Sequence, residues 1–249
     1  MRGITDTVKH LLIINVLMFI GTITIQNGVF YNWFALHFPK NDLFQPWQII
    51  THMFMHGNLM HIAFNMLALW MFGTAVEQVF GAKKFIFFYI SAGLGAALVM
   101  LGVYYLQYLP KESDILSAGF TSSQIHETLT TGKVMDGINA AQREQLQSMY
   151  NIFNSSMVGA SGAIFGVLVA FGMLYPESKL MLIFLPIPIK AKYFIPAIIA
   201  LDLISAVTGS SFFSPSNTAY AAHLGGALTG FLMMWYWKKT QFNKNRWDR

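Results

Sequence analysis

VGASGAIFGVLVAFGMLY, Val158–Tyr175, decides the fold. It is apolar nearly throughout, carries no charge, and reaches the lower limit of about 17 residues for a membrane span. Ser161 falls in its first turn, so a hydroxyl stands where hydrocarbon is expected. Polar groups placed there are costly and usually functional. Gly162, Gly166 and Ala170 recur every four residues on one face, a small-residue stripe that lets a second helix come close. Packing alone would account for that stripe, and a lone serine would be satisfied by bonding back to its own helix. A nucleophile at Ser161 needs partners from elsewhere in the chain.

Composition places this stretch among others of its kind. The 249 residues are 55% hydrophobic and 11% charged, against about 25% charged in a soluble domain. Six apolar segments stand out: Leu11–Leu36, His61–Val79, Phe85–Leu109, Val158–Tyr175, Tyr193–Val207 and Ala219–Trp237. The fifth is short, and Leu180–Ile189 could extend it. The expected class is an all-α, multi-pass membrane domain occupying 1–249, with no cleavable signal peptide before the first span. With no cysteine, disulfides, thiolate catalysis and cysteine zinc sites are excluded. The net charge of +5 reads as topology rather than nucleic-acid binding, because the basic residues flank apolar segments.

Lysine and arginine orient the spans. With the N-terminus inside, all but Lys40, Lys111, Lys133 and Arg143 fall on the inner side, so residues 1–10 and the basic tail 238–249 should be cytoplasmic. Spans two, four and six then run from outside to inside. His61 opens span two, Ser161 opens span four, and His223 lies one turn into span six. At 1.5 Å rise per residue the three share one layer ~10 Å deep near the outer face.

That layer can do acyl-transfer chemistry. His223, Gly226 and Gly230 share a helix face, so spans four and six can approach along facing glycines. Ser161 Oγ would then come within reach of His223 as general base. In HGNLMHIAFN, His56–Asn65, the side chains of His61 and Asn65 lie about 40° apart around a helix. With the Ser161 amide they could stabilise an oxyanion. A zinc site built on His52, His56 and His61 lacks the glutamate of HExxH; Glu77 falls at the opposite face, and Asp202 in the short fifth segment. No metal and no cofactor are expected. The GxSxG elbow fails at Ala163. A transporter is disfavoured by the lack of internal repeats and of paired charges within the spans.

GASG at 159–162, HGNLMHIAFN at 56–65 and AHLGGALTG at 222–230, standing on spans four, two and six respectively, resemble the rhomboid family of intramembrane serine proteases. The match runs from about Trp47 to Gly230. The resemblance implies a six-helix bundle with a re-entrant, partly helical first outer loop. It also implies a Ser161–His223 dyad, an oxyanion site at His61 and Asn65, and support from Gly159, Gly162, His56, Phe165 and Gly226. Substrates would be single-span membrane proteins cut near the outer face, in a bacterial inner membrane. A catalytically inactive member that binds transmembrane helices is the alternative.

Three features depart from the family pattern. Gln48 follows Trp47 where many members have arginine. Phe165 stands where a tyrosine often stacks on the histidine. The outer segment 110–156 is long, and Leu146, Met149, Tyr150 and Phe153 give Ile138–Phe153 the pattern of an amphipathic helix. It could be a lid over the site or a solvated insertion.

Overall fold

The computed structural model describes residues 3–25, 28–182, 185–209 and 219–242. The helices run α1 Asp6–Thr24, α2 Val29–Phe34, α3 Gln48–Thr51, α4 Leu59–Phe80, α5 Ala82–Ser117, α6 Ser122–Thr131, α7 Ala140–Phe153, α8 Ser161–Leu174, α9 Ala191–Thr208 and α10 Tyr220–Trp237. Within α4 the residues Leu69–Gly73 form a π-turn. Among the described residues, α1, α4, α5 and α9 are long and apolar enough to cross a membrane; α8 is apolar but shorter. Large apolar side chains stand exposed on their outer faces, among them Leu17, Ile23, Leu98, Leu106 and Val207. A soluble protein would bury such side chains; lipid tails leave them satisfied. The chain is a mostly helical, multi-pass integral membrane protein.

α8 and α10 form the centre, flanked by α5. α8 is buried along most of its length, from Gly162 to Phe171. Gly162 faces Ala96 of α5 on one side and the Ala222 carbonyl of α10 on the other. Gly226 packs on the Gly162 backbone, and Gly230 on the Gly166 backbone. On the far side of α10, a Cβ at Gly225 would lie 2.7 Å from Val99 Cβ and 2.8 Å from the Gly95 carbonyl. Three helices therefore meet backbone to backbone, which only residues without side chains permit. Below this level Phe85, Phe88, Tyr89, Val167, Ala170 and Met234 fill a common core.

The first apolar segment divides. Hydropathy predicts a single span over Leu11–Leu36; α1 instead ends at Thr24, and α2 begins after Gly28, whose φ of 67° lies in the left-handed region that suits glycine. α1 also starts earlier, because Glu77 closes its N-terminus. The Glu77 carboxylate accepts from Thr5 Oγ1 at 2.5 Å, Val8 N at 3.0 Å and Thr7 N at 3.2 Å. The two amides have no partner inside the helix, and the helix dipole favours the anion. The contact puts Glu77 and the start of α1 at the same end of the bundle.

The extension of span five over Leu180–Ile189 is not helical. Lys179–Leu182 and Leu185–Lys190 form strands β3 and β4 of an antiparallel hairpin. Pro186 and Pro188 cannot supply the amides a helix would need there. At the hairpin base Lys190 and Lys192 both bond Glu177, each at 2.6 Å, and hold its carboxyl down at about 2. The hairpin and the pair β1 Leu36–His37 with β2 Ser156–Met157 qualify the all-α expectation. Of the basic tail, residues 243–249 lie outside the described residues.

The long segment 110–156 is folded. α5 runs past Leu109 and through Pro110 to Ser117, so the third apolar segment is only the first part of this helix. The continuation is stabilised by packing: Tyr108, Ile115, Ile125, Leu129, Leu146, Met149, Ile152 and Phe153 form a separate buried cluster with Phe38. α6 and α7 each open with a capping box, Thr121 with Gln124 and Asn139 with Gln142. This small cluster is tied to the loop between α2 and α3: Asn41 Nδ2 donates to the Phe153 carbonyl at 2.7 Å, and Lys40 pairs with Glu112. A solvated insertion would have no such core. We expect Leu129→Ala to cost about 2–5 kcal/mol of local stability. Hydrogen exchange should then accelerate across 120–153 and stay unchanged in α8 and α10; uniform acceleration would contradict an independent second core.

Candidate active site

Ser161 is the first residue of α8, so its N–H precedes the helical ladder and points out from the positive end of the helix. The segment that delivers it is held from two sides. Ser156 and Met157 pair with His37 and Leu36 of the loop between α2 and α3. The Gly159 N–H then donates to the His52 carbonyl at 2.9 Å. Gly159 itself has φ 125°, and a Cβ there would stand 2.8 Å from His61 Nε2. Only glycine combines that backbone with that approach. His61 therefore lies against the turn that carries Ser161.

Across the glycine seam, His223 Nε2 is 2.8 Å from Ser161 Oγ. The ring of Phe165, one turn further along α8, stacks on the His223 imidazole at 4.2 Å between centroids and 12° between planes. His223 is buried. Its other nitrogen, Nδ1, lies 2.6 Å from Asp202 Oδ2 of α9. The expectation that no ionisable groups pair within the spans is corrected by this contact. Asp202 is also a site residue that the sequence pattern does not single out.

The remaining expected residues are placed as follows. His61 lies in the first turn of α4, its N–H accepted by the Asn58 side chain at 2.8 Å. Its Nδ1 accepts a long bond of 3.5 Å from the Gly57 N–H, which leaves Nε2 to carry the proton and face Gly159. Asn65, one turn on, is buried, and its Nδ2 has no hydrogen-bond partner among the described residues. No bond joins Asn65 to Ser161 or His223 among those residues. His56 is fully buried and meets the His61 ring edge-on at 5.0 Å. Burial, aided by His61, holds His56 well below the usual histidine range, at about 3, so it stays neutral beside the site. Gly162 and Gly226 form the seam itself. His52 bonds the Gln48 carbonyl through Nδ1 at 2.9 Å and braces the loop. Among the described residues no three His, Asp or Glu side chains converge as a metal-binding set.

Gln48 replaces the expected arginine with a different solution. It is fully buried. Its Oε1 accepts from Gln45 N at 3.1 Å and His37 N at 3.3 Å, and its Nε2 donates to the Asn32 and Leu43 carbonyls at 2.9 Å each. One neutral amide thus satisfies backbone groups of α2 and of the loop that follows it, where a cation would leave the two N–H donors unpaired.

Comparison with known sequences identifies the family. The Rhomboid domain profile matches residues 43–240. Rhomboid protein 1, mitochondrial, of Saccharomyces cerevisiae is 29% identical over 191 residues, 77% of this chain and 42% of that protein. Presenilin-associated rhomboid-like protein, mitochondrial, of Rattus norvegicus is 32% identical over 184 residues, 74% of this chain and 35% of that protein. Rhomboid protease AarA of Providencia stuartii is 29% identical over 190 residues, 75% of this chain and 54% of that protein. The matched segment thus spans about a third to a half of these relatives' own length. The profile covers the greater part of the chain, including the serine turn and the histidine helix described above, and the chain belongs to the rhomboid family.

Proposed function

We propose that this chain is an intramembrane serine endopeptidase that cuts single-span membrane proteins near the outer face. The observation that carries the reading is the 2.8 Å contact between Ser161 Oγ and His223 Nε2, held across a seam of glycines inside a membrane domain. His223 takes the Ser161 proton as Oγ attacks the scissile carbonyl carbon, then returns it to the departing amine. The Ser161 N–H, His61 Nε2–H and the unpaired Asn65 Nδ2 are the donors for the developing oxyanion. The six helices that correspond to the apolar segments form the bundle, with both termini on the inner side and the first outer loop beside the active layer. The named relatives belong to both mitochondria and a bacterium. The setting we propose is a bacterial inner membrane, one of the two settings these relatives represent.

The test is cleavage of a panel of single-span substrates by the wild type and Ser161→Ala, with mass spectrometry of the products. The reading requires a cut within or beside the transmembrane segment that disappears in Ser161→Ala; identical products from both proteins would overturn it. The Phe165 ring should matter to a lesser degree. Aromatic stacking contributes about 0.5–1.5 kcal/mol, so Phe165→Leu is expected to lower turnover about 3- to 10-fold. Phe165→Tyr should retain it, and equal turnover in the leucine variant would remove the ring from the account.

A further inference from the structure

Asp202 is not required by a serine–histidine dyad, and its position is costly. α9 turns Leu203, Ile204 and Val207 outward, while Asp202 and Ser205 are buried. A carboxylate in such a helix must find a partner. The side chains of His223 and Asp202 are 10% and 11% exposed, so the pair is nearly dry. An ionised carboxylate only accepts, and a neutral imidazole has one donor and one acceptor. With Oδ2 at 2.6 Å from Nδ1 and Oγ at 2.8 Å from Nε2, the proton must sit on Nδ1. Nε2 is then left with the lone pair that receives the Ser161 hydroxyl.

Resting on the protease reading, we propose that Asp202 is a positioning residue: it fixes the tautomer and orientation of His223 and neutralises the imidazolium formed during attack. In that step the Oγ–H bond breaks and its proton goes to Nε2. The new bond joins Oγ to the carbonyl carbon, and the carbonyl π electrons move to oxygen. The carboxylate keeps its charge and takes no proton. Among the described residues, the other groups at His223 are the Ser161 hydroxyl and the Phe165 ring of α8, with His61 of α4 close by. None of them can accept from Nδ1 while Nε2 faces Ser161. A bond that only latched α9 to α10 would have no need of a charged acceptor aligned with the serine.

The experiment uses the full chain in lipid vesicles with a cleavable single-span substrate. It compares the wild type with Asp202→Asn, reading kcat, KM, unfolding temperature and the rate of fluorophosphonate labelling at Ser161. Loss of the charge and of the enforced tautomer should lower kcat at least about 100-fold, with KM within about 2-fold and the labelling rate falling in parallel. Unfolding should stay close to the wild type. Asp202→Ser gives the same reading if the asparagine variant does not fold. Wild-type kcat in these variants, or a lowered unfolding temperature with kcat intact, would overturn the proposal and leave the protease reading standing. A wild type that neither cleaves nor labels would overturn both.

Discussion

Ser161→Ala and His223→Ala are each expected to lower cleavage of a single-span substrate by about 10⁴- to 10⁶-fold. The two losses should be of similar size, because neither group has a function without the other. Serine is a weak nucleophile until its proton has somewhere to go, and His223 Nε2 at 2.8 Å is the acceptor at hand. The double variant should be little worse than either single one, as happens when residues act as a unit. Both variants should remain folded. Ser161 sits at a helix end and contributes little packing, and a His223→Ala change leaves the glycine seam intact. Kinetics in vesicles and a thermal unfolding curve check both halves. Activity within about 10-fold of the wild type in either variant would remove the pair from the mechanism.

Gly226→Val is expected to have the largest effect on the fold. The added side chain would enter the backbone of Gly162, an obstacle that cannot turn aside as a flexible side chain could. Overpacking of a tight interior costs about 1–3 kcal/mol or more even where neighbours can yield, so this change should fall at or beyond the upper end. Separation of α8 and α10 would also carry Ser161 away from His223. Thermal stability and cleavage should therefore fall together. Gly102→Ala is the control: it lies in α5 with open space around its Cβ position, and alanine suits a helix better than glycine. Its stability and activity should match the wild type. A folded, active Gly226→Val would show that the seam is looser than described.

The layer of chemistry is legible in the amino-acid sequence because it depends on few variables. The expected span directions and the helix rise put His61, Ser161 and His223 at one depth, and small residues at fixed spacing indicate which faces meet. The amphipathic helix preceding the serine is legible for the same reason, since its apolar period needs no partner to be seen. Asp202 is not legible. Which of its neighbours it meets depends on the rotation of α9, and one carboxylate in a short apolar stretch does not set that angle. Gln48 reads only as a missing arginine, because its side-chain bonds go to backbone atoms that leave no mark in the sequence. The break after Thr24 and the 179–190 hairpin are hidden by hydropathy, which counts apolar residues without asking whether the chain continues straight. Pro186 and Pro188 are the signal available for the hairpin. The reach of α5 past Pro110 has a weaker signal, Tyr108 and Ile115 spaced two turns apart on one helix face.

The central claim is that Ser161 is a nucleophile activated by His223 within the membrane. It is tested most directly by exposing the full chain in lipid to a fluorophosphonate and locating the adduct by mass spectrometry. The account predicts a single adduct on Ser161 in the wild type that is absent in His223→Ala. A folded wild type left unmodified, an adduct on a different serine, or full labelling of Ser161 without His223 would contradict it.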